Sequence, residues 1–267
     1  MADVILDTIT DALKLLPFLF ATYLLMEYVE HKAGSAFEKA LHKGGAVGPL
    51  IGGILGAVPQ CGFSAAASNL YAGRIISSGT LFAVFLSTSD EMLPILISEQ
   101  TDVSIIVKIL LIKAVFGIVT GFLVDLFLRL KGKGDQEWDI ESLCEREHCS
   151  CEDDEGVLKP ALVHTMHVFL FVVIITFVIN LVVHFAGLEA IRGSVLGYPV
   201  VGELLAALIG LIPNCAASVA LTQLYLGGAI SMGAMIAGLL TGAGVGLLVL
   251  FRVNDHLKEN LTIAGLL

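Results

Sequence analysis

The sequence predicts an all-α polytopic membrane protein with two inverted repeats, each containing a re-entrant or broken helix pair. The first observation behind this prediction is composition. Of 267 residues, 56% are hydrophobic and only 15% are charged, too few polar side chains for a soluble domain of this length. The second is a set of apolar runs long enough to cross a lipid bilayer, and the third is a duplicated segment. The net charge of −10 lies largely in one loop, and nothing in the sequence indicates nucleic-acid binding.

The duplicated segment is the most informative feature of the chain. Residues 56–79 read GAVPQCGFSAAASNLYAGRIISSG, and residues 210–233 read GLIPNCAASVALTQLYLGGAISMG, which align without a gap. Each copy carries Pro, a carboxamide and Cys in succession, followed by a Ser three residues after the Cys. Helix-breaking segments at corresponding places in the two halves of a membrane protein point to the binding site of a transporter.

The elements of the first repeat, residues 1–130, follow from the apolar runs and their interruptions. Pro59 and Gly62 interrupt one apolar stretch and divide it into two half-helices. Neither half-helix alone spans the ~30 Å hydrocarbon core, because each gives only roughly 15 Å at 1.5 Å per residue. The predicted helices are, in order, residues 11–30, 47–57, 63–72, 77–97 and 105–128.

A hydrophilic, acidic loop of residues 131–160 separates this repeat from the second one, residues 161–267. The predicted elements of the second repeat are a helix over 164–185, a broken pair around Pro213 and a span over 231–251. Residues 255–267 correspond to the start of the last helix of the first repeat. We therefore expect the second repeat to lack its last helix.

Two topologies are open for the broken segments. Each could cross the membrane as an interrupted helix, or return to its own side as a re-entrant hairpin. Positive charge gathers on the cytoplasmic side of membrane proteins, and the hairpin topology places most Lys and Arg residues on one side. We therefore favour hairpins in an inner-membrane protein with an extracytoplasmic N-terminus and a cytoplasmic acidic loop. Each half then has an odd number of crossings, which inverts the second repeat.

The broken segments form the first candidate substrate-binding site. A break within lipid frees backbone N–H and C=O groups, which are tolerated only where protein or a water-filled cavity satisfies them. Sulfur beside neutral oxygen suits a thiophilic metal or metalloid better than sodium. The alternative is that each Cys is a small buried residue at an ordinary packing feature. The candidate ligands are Gln60, Cys61, Ser64, Asn214, Cys215 and Ser218.

A second candidate site consists of Asp90 and Glu91, which end the polar run Ser87–Glu91 inside an apolar span. Ionisable side chains at membrane depth cost ~2.5–3.5 kcal/mol each on insertion scales, so they usually face a cavity and bind an ion or carry a proton. The other repeat carries Thr-Gly-Ala-Gly from Thr241 at this place, so the carboxylate site is one-sided. The alternative is that both carboxylates lie at the membrane interface on a shorter helix.

The loop between the repeats is a third candidate, because it gathers three thiols, an imidazole and several carboxylates. These side chains coordinate zinc, copper or manganese. The spacing C-x4-C-x-C matches no closed structural zinc site, so the pattern favours a transient capture site over a folded zinc finger. A solvated acidic linker is the alternative. The candidate ligands are Cys144, His148, Cys149 and Cys151.

Four motifs together resemble a known family: VPQCGFS from Val58, STSDEMLP from Ser87, HCSCE from His148 and IPNC from Ile212. They are similar to the ten-transmembrane heavy-metal exporter family, whose members are labelled manganese transporters or arsenic efflux proteins. The resemblance covers nearly the whole chain. It implies a secondary transporter that exports a heavy-metal ion, such as manganese or another divalent metal, or a metalloid. The expected lack of the last helix departs from the family pattern.

The sequence carries no classical catalytic motif and no nucleotide-binding loop, so we predict a transporter and not an enzyme. No cofactor is expected beyond the transported metal ion, for which manganese is one candidate. The expected partners are membrane lipid and the metal substrate, and a homodimer is one option for assembly. In the metal hypothesis, Asp90, Glu91, Cys61 and Cys215 hold the ion. Two other interpretations stay open: a secondary transporter of an organic anion, and an intramembrane metal-dependent enzyme.

Overall fold

The computed structural model describes residues 47–58, 61–89, 92–131, 158–186 and 200–267, together with part of the segment 8–24. Every regular element in these ranges is an α-helix, so the all-helical prediction is confirmed there. The helices after residue 47 are α1 (Gly48–Gly56), α2 (Cys61–Ala72), α3 (Ser78–Ser87), α4 (Met92–Ser98), α5 (Val103–Leu130), α6 (Leu158–Ala186), α7 (Val201–Gly210), α8 (Cys215–Leu226), α9 (Met232–Thr241), α10 (Val245–Val253) and α11 (Leu257–Leu266).

The helices of the two halves correspond to one another in order. Helices α2 and α8 begin and end at equivalent residues, and so do α3 and α9. Ser77 precedes α3, and its hydroxyl oxygen accepts a hydrogen bond from the backbone N–H of Thr80. Ser231 caps α9 in the same way, through the N–H of Ala234. Because a Ser at the N-cap satisfies an otherwise orphaned amide, the duplicated Ser sets the start of both helices.

The predicted half-helices are present, with one correction to their boundary. Helix α1 ends at Gly56 and α2 begins at Cys61, so Gly62 lies inside α2 and does not break the helix as predicted. Helices α7 and α8 flank Pro213 in the same way. A Gly costs a helix only ~1 kcal/mol relative to Ala, which tertiary packing can outweigh.

Residues 77–97 and 231–251 are not the continuous helices that the sequence predicts. In the first repeat, α3 ends at Ser87 and α4 begins at Met92. The hydroxyls of Ser87 and Thr88 donate to the carbonyl oxygen of Val84, and such bonds compete with the helical hydrogen-bond ladder. In the second repeat the interruption covers residues 242–244. Gly244 there has a φ of +55°, which glycine adopts at no steric cost.

Close backbone contacts fix the direction of the short helices. Gly48, at the start of α1, lies against Thr80 early in α3, and Gly56 lies against Ser87 at the end of α3. Helices α1 and α3 therefore run side by side in the same direction. The equivalent helices α7 and α9 pair in the same sense. Small residues make this approach possible, because they let two helix backbones come close together.

Helices α2 and α10 interlock the two repeats. The hydroxyl of Ser68 donates to the carbonyl oxygen of Gly246 at 2.6 Å, early in α10. Further along, Ala72 and Val253 belong to the same buried apolar cluster. The two helices therefore run in the same direction, and a helix of the first repeat packs on a helix of the second. The equivalent pair, α8 and α4, is also in contact.

Three described segments are long and apolar enough to cross a membrane: Ser78–Ser98, Val103–Leu130 and Met232–Val253. Helix α5 is the most outward-facing of them, since only 22% of an 18-residue apolar stretch within it is buried inside the molecule. Large apolar side chains along it, such as Leu111 and Leu123, are more than half exposed. A continuous apolar surface of this length is unfavourable in water and suits contact with lipid.

Candidate functional site

A small buried cavity lies where the interrupted segments of the two repeats meet. Its walls come from the end of α3, from the connection between α7 and α8, and from the interruption between α9 and α10. Its volume is about 10 Å³, close to the space that one water molecule needs. The lining residues are Thr88, Ser89, Gly210, Asn214, Ala217, Ser218, Gly238, Leu239, Gly242 and Gly244.

The polar side chains around the cavity are neutral oxygen groups held in place by the backbone. The hydroxyls of Ser89 and Ser218 donate to main-chain carbonyl oxygens at 2.9 and 2.8 Å, and their lone pairs stay available to an ion. Asn214 is 3% exposed, and its side-chain oxygen also accepts from the N–H of Ala216 as the cap of α8. Hydroxyl, amide and carbonyl oxygens are ligands that hard cations prefer.

Several side chains that line the cavity are smaller than their counterparts in the other repeat. At six lining positions the second repeat has a smaller side chain than the first. The largest differences are at Ala217, Gly238 and Leu239, which stand where the first repeat has Phe63, Val84 and Phe85. Val84 and Phe85 are buried in an apolar cluster. Interiors are close-packed, so space remains only where side chains are small. The small side chains of the second repeat therefore leave room for the cavity between the helices.

Lys113 contacts the wall of the cavity, although its position in the sequence was not singled out as a ligand or functional group. It lies within α5, is 0% exposed, and its amino group donates to the carbonyl oxygen of Leu239, which lines the cavity. A Lys at membrane depth is expensive, and such residues usually face the interior and serve a function. The available signal was a Lys well inside a 28-residue apolar helix.

Of the predicted ligands with described side chains, Asn214 and Ser218 line the cavity, whereas Ser64 and Cys215 are absent from its lining. Ser64 is 0% exposed and lies against Gly246 of α10. Cys215 is 3% exposed and belongs to an apolar cluster formed with α2, α6 and α10. Within the described ranges, no group of three or more His, Cys, Asp or Glu residues is placed to hold a metal ion.

The other predicted ligands cannot be located in this way. Cys61 begins α2, and its side chain lies outside the described structure. Asp90 directly follows the cavity residue Ser89 in the chain. The predicted ligands that lie wholly outside the described residues are Gln60, Asp90, Glu91, Cys144, His148, Cys149 and Cys151.

A second polar cluster joins the two repeats at the far end of α2. Arg74 makes a bidentate ion pair with Glu259 of α11, and both N–O distances are 2.9 Å. The hydroxyl of Tyr71 donates to the same carboxylate, and the Arg74 guanidinium lies 5.3 Å from the centre of the Tyr71 ring. Asn254 and His256 contact the pair from the side. The pair is largely buried, with the Arg74 side chain 8% and the Glu259 side chain 24% exposed.

The pKa of Glu259 predicts how this pair responds to pH. Burial raises the pKa of Glu259, but hydrogen bonds from Arg74 and Tyr71 outweigh burial and lower it from 4.5 to about 2. Because the folded-state pKa is the lower one, the ionised carboxylate stabilises the fold above about pH 4.5, and this contribution is lost as the pH falls towards 2.

In thermal unfolding in detergent, we expect the wild type to exceed Glu259→Gln in stability at neutral pH. This difference should shrink below about pH 4, and a difference that stays constant would contradict the assignment.

Comparison with protein families now places the chain. A family model described as "Putative, 10TM heavy-metal exporter" matches residues 1–146 and again residues 135–254. The chain belongs to this family. The resemblance drawn from the four sequence motifs is thereby confirmed. No curated protein sequence and no solved structure shows a significant match.

Membership in the heavy-metal exporter family gives the structure its functional class. The family name indicates export of heavy metals across a membrane, and a transporter as opposed to an enzyme. The apolar, outward-facing helices agree with a membrane location. The two matched segments overlap within the loop that separates the repeats, so each repeat lies within one matched segment for most of its length.

Proposed function

We propose that this heavy-metal exporter is a secondary transporter and that its cargo ion binds in the cavity between the interrupted segments. The observation that carries the proposal is that breaks from both repeats meet at one small cavity, whose lining includes the neutral polar residues Ser89, Asn214 and Ser218. Breaks at membrane depth are tolerated where they surround a binding site. A volume of about 10 Å³ fits a single ion or water molecule, which disfavours an organic anion in this conformation.

The ligand chemistry favours an oxygen-preferring divalent ion such as manganese(II). Ser89 and Asn214, whose side chains carry neutral oxygens, line the cavity, whereas Cys215 packs among apolar side chains. Carboxylate and carbonyl oxygens suit manganese, and thiolates suit softer metals. Asp90, the next residue after Ser89, and Glu91 are the proposed carboxylate ligands.

The first repeat is proposed to contribute Gln60, the counterpart of Asn214. In the loop between the repeats, the thiols and imidazole are proposed to capture the ion in the cytoplasm before it enters the membrane. These loop ligands are Cys144, His148, Cys149 and Cys151. Membrane lipid and the metal ion are the proposed partners, and a homodimer stays a prediction.

We infer that the repeats are inverted and that each broken pair is a re-entrant hairpin. Helix α1 runs with α3, and α2 returns beside α3 to the end where α3 begins. The pair α7 and α8 has the same relation to α9. Since α2 shares the direction of α10, the two hairpins open towards opposite ends. The distribution of Lys and Arg favours the Arg74 end, and the acidic loop, on the cytoplasmic side of the inner membrane, with the N-terminus outside.

The metal content of cells tests both the function and the ligands. Elemental analysis would compare manganese-challenged cells that express the wild type, Asp90→Asn or Cys61→Ser/Cys215→Ser in matched amounts. We expect Asp90→Asn cells to retain manganese as cells without the protein do, because the carboxylate ligand is lost, and the double Ser variant to export normally. Glu99→Gln, an exposed carboxylate at the end of α4, is the matched control. Equal metal content in all strains would overturn the function, and loss in the double Ser variant alone would reassign the cargo to a soft metal or metalloid.

A further inference from the structure

We propose that the ion pair between Arg74 and Glu259 is a one-sided gate, which must open before an ion passes between the cavity and that end of the molecule. This inference rests on the proposed transport function. Arg74 lies in the turn between α2 and α3 of the first repeat, and Glu259 lies in α11 of the second. The pair therefore ties together two parts that have to separate if this end is to open.

The opposite end carries no equivalent charge pair among the described residues. The counterparts of Arg74, Tyr71 and Glu259 are Gly228, Tyr225 and Ile105. Tyr225 and Ile105 pack against an apolar cluster, and a Cβ built on Gly228 would have no atom within 4 Å. The same turn thus occurs twice in the fold, and among the described residues only the turn at Arg74 is held by such an ion pair. The two ends then open at different cost, which biases the protein towards closure at the Arg74 end.

The backbone of the turn gives independent support. Arg74 has a φ of +58° and Gly228 a φ of +70°, and the hydrogen bonds of the two turns are equivalent. Glycine adopts this left-handed conformation freely, whereas a residue with a Cβ is strained there. The backbone of the turn therefore favours glycine at this position, and the second repeat has Gly228 there. Strain kept at a non-glycine residue is typical of functional sites, and here the guanidinium contacts with Glu259 and Tyr71 offset it.

The position of the pair connects it to the cavity. Helix α3 leads from Ser77, three residues after Arg74, to Thr88 at the cavity wall. Helices α2 and α10 run side by side towards the same end, where the Arg74–Glu259 pair joins the segments that follow them. When the pair breaks, the α2–α3 turn is free to move away from α11, and this movement opens a path along α3.

Access of a water-soluble maleimide to Ser218→Cys, a cavity-lining position, measures the gate without requiring transport. The labelling rate would be compared in membranes open on both sides, after subtracting the native cysteine signal of protein without this change. We expect Arg74→Gly, which introduces the residue found at position 228, and Glu259→Gln each to raise the rate about tenfold, the effect of ~1.4 kcal/mol on a two-state equilibrium. Lys258→Gln, an exposed neighbour on α11, should leave the rate unchanged.

Exchanging the charges, as Arg74→Glu with Glu259→Arg, should return the labelling rate towards that of the wild type. Wild-type labelling in both single variants, with thermal unfolding showing that they are folded, would mean that the pair is only structural and would overturn the gate. Manganese flux into vesicles separates the two proposals. If the wild type shows no manganese flux but its labelling rate still depends on the ion pair, the exporter function is overturned and the gate is retained. Normal flux with pair-independent labelling would sink the gate alone.

Discussion

Gly210→Ala is expected to prevent stable packing of the second repeat. A Cβ at Gly210 would overlap the carbonyl oxygen of Gly238 in α9. The two backbones are also close on the other side of this contact, because a Cβ built on Gly238 would lie 2.6 Å from the carbonyl oxygen of Ala206 in α7. Helices α7 and α9 would have to separate, which would also distort the cavity that both of them line. Overpacking of a tight interior typically costs about 1–3 kcal/mol, and occasionally more, so a clash with main-chain atoms should lie at the upper end.

Gly265→Ala is the matched control for this prediction. A Cβ at Gly265 in α11 would meet no atom within 4 Å, and Ala favours a helix over Gly by up to ~1 kcal/mol. Thermal unfolding in detergent should therefore show a strong loss of stability for Gly210→Ala and an unchanged or higher stability for Gly265→Ala. Equal unfolding temperatures for Gly210→Ala and the wild type would show that α7 and α9 do not approach as closely as the structure indicates.

The duplicated segment explains how much of the fold could be predicted from sequence. Pro213, and the Ser residues at positions 77 and 231, act locally, by removing an amide donor or by capping one. Their effects can therefore be read without knowing the tertiary structure. The interruptions after Ser87 and before Val245 were not predicted as helix ends, because apolar residues resume after each of them and the mean hydropathy of each whole span stays high. They depend on hydroxyl bonds to the backbone and on glycines packed against other helices, which only the tertiary structure reveals.

The same distinction applies to the candidate site. Asn214 and Ser218 could be predicted because the motif that breaks the helix also brings them to the cavity. Gly238 and Leu239 could not, since neither has a functional group, and each matters only through its size or its main-chain oxygen. Lys113 lies between these cases. Its burial in an apolar helix is a local signal, whereas its contact with the cavity wall is a property of the assembled fold.

Asn214→Leu is expected to reduce ion transport strongly, whereas Asn214→Asp should retain it. Leucine has a similar volume but no oxygen, so it removes a cavity ligand and the side-chain cap of α8. Losing such a cap costs typically about 1 kcal/mol, which lowers stability without preventing folding. Aspartate caps a helix as well as asparagine does, and its carboxylate is a preferred ligand of hard divalent cations. Manganese flux into inverted membrane vesicles should fall at least about tenfold for the Leu variant, the effect of losing ~1.4 kcal/mol of binding.

Asn214→Ser distinguishes the capping role of Asn214 from its role as a ligand. Serine still caps a helix, but it carries its oxygen on a shorter side chain. We expect Asn214→Ser to match the wild type in thermal unfolding and to transport manganese at an intermediate rate. Near wild-type flux in Asn214→Leu would mean that the cargo does not pass through this cavity. Loss of flux in both the Leu and Asp variants, with both proteins folded, would instead mean that the site rejects a fixed negative charge. The cargo would then be an uncharged metalloid species. A carboxylate strengthens the binding of a divalent cation, but it does not attract an uncharged species.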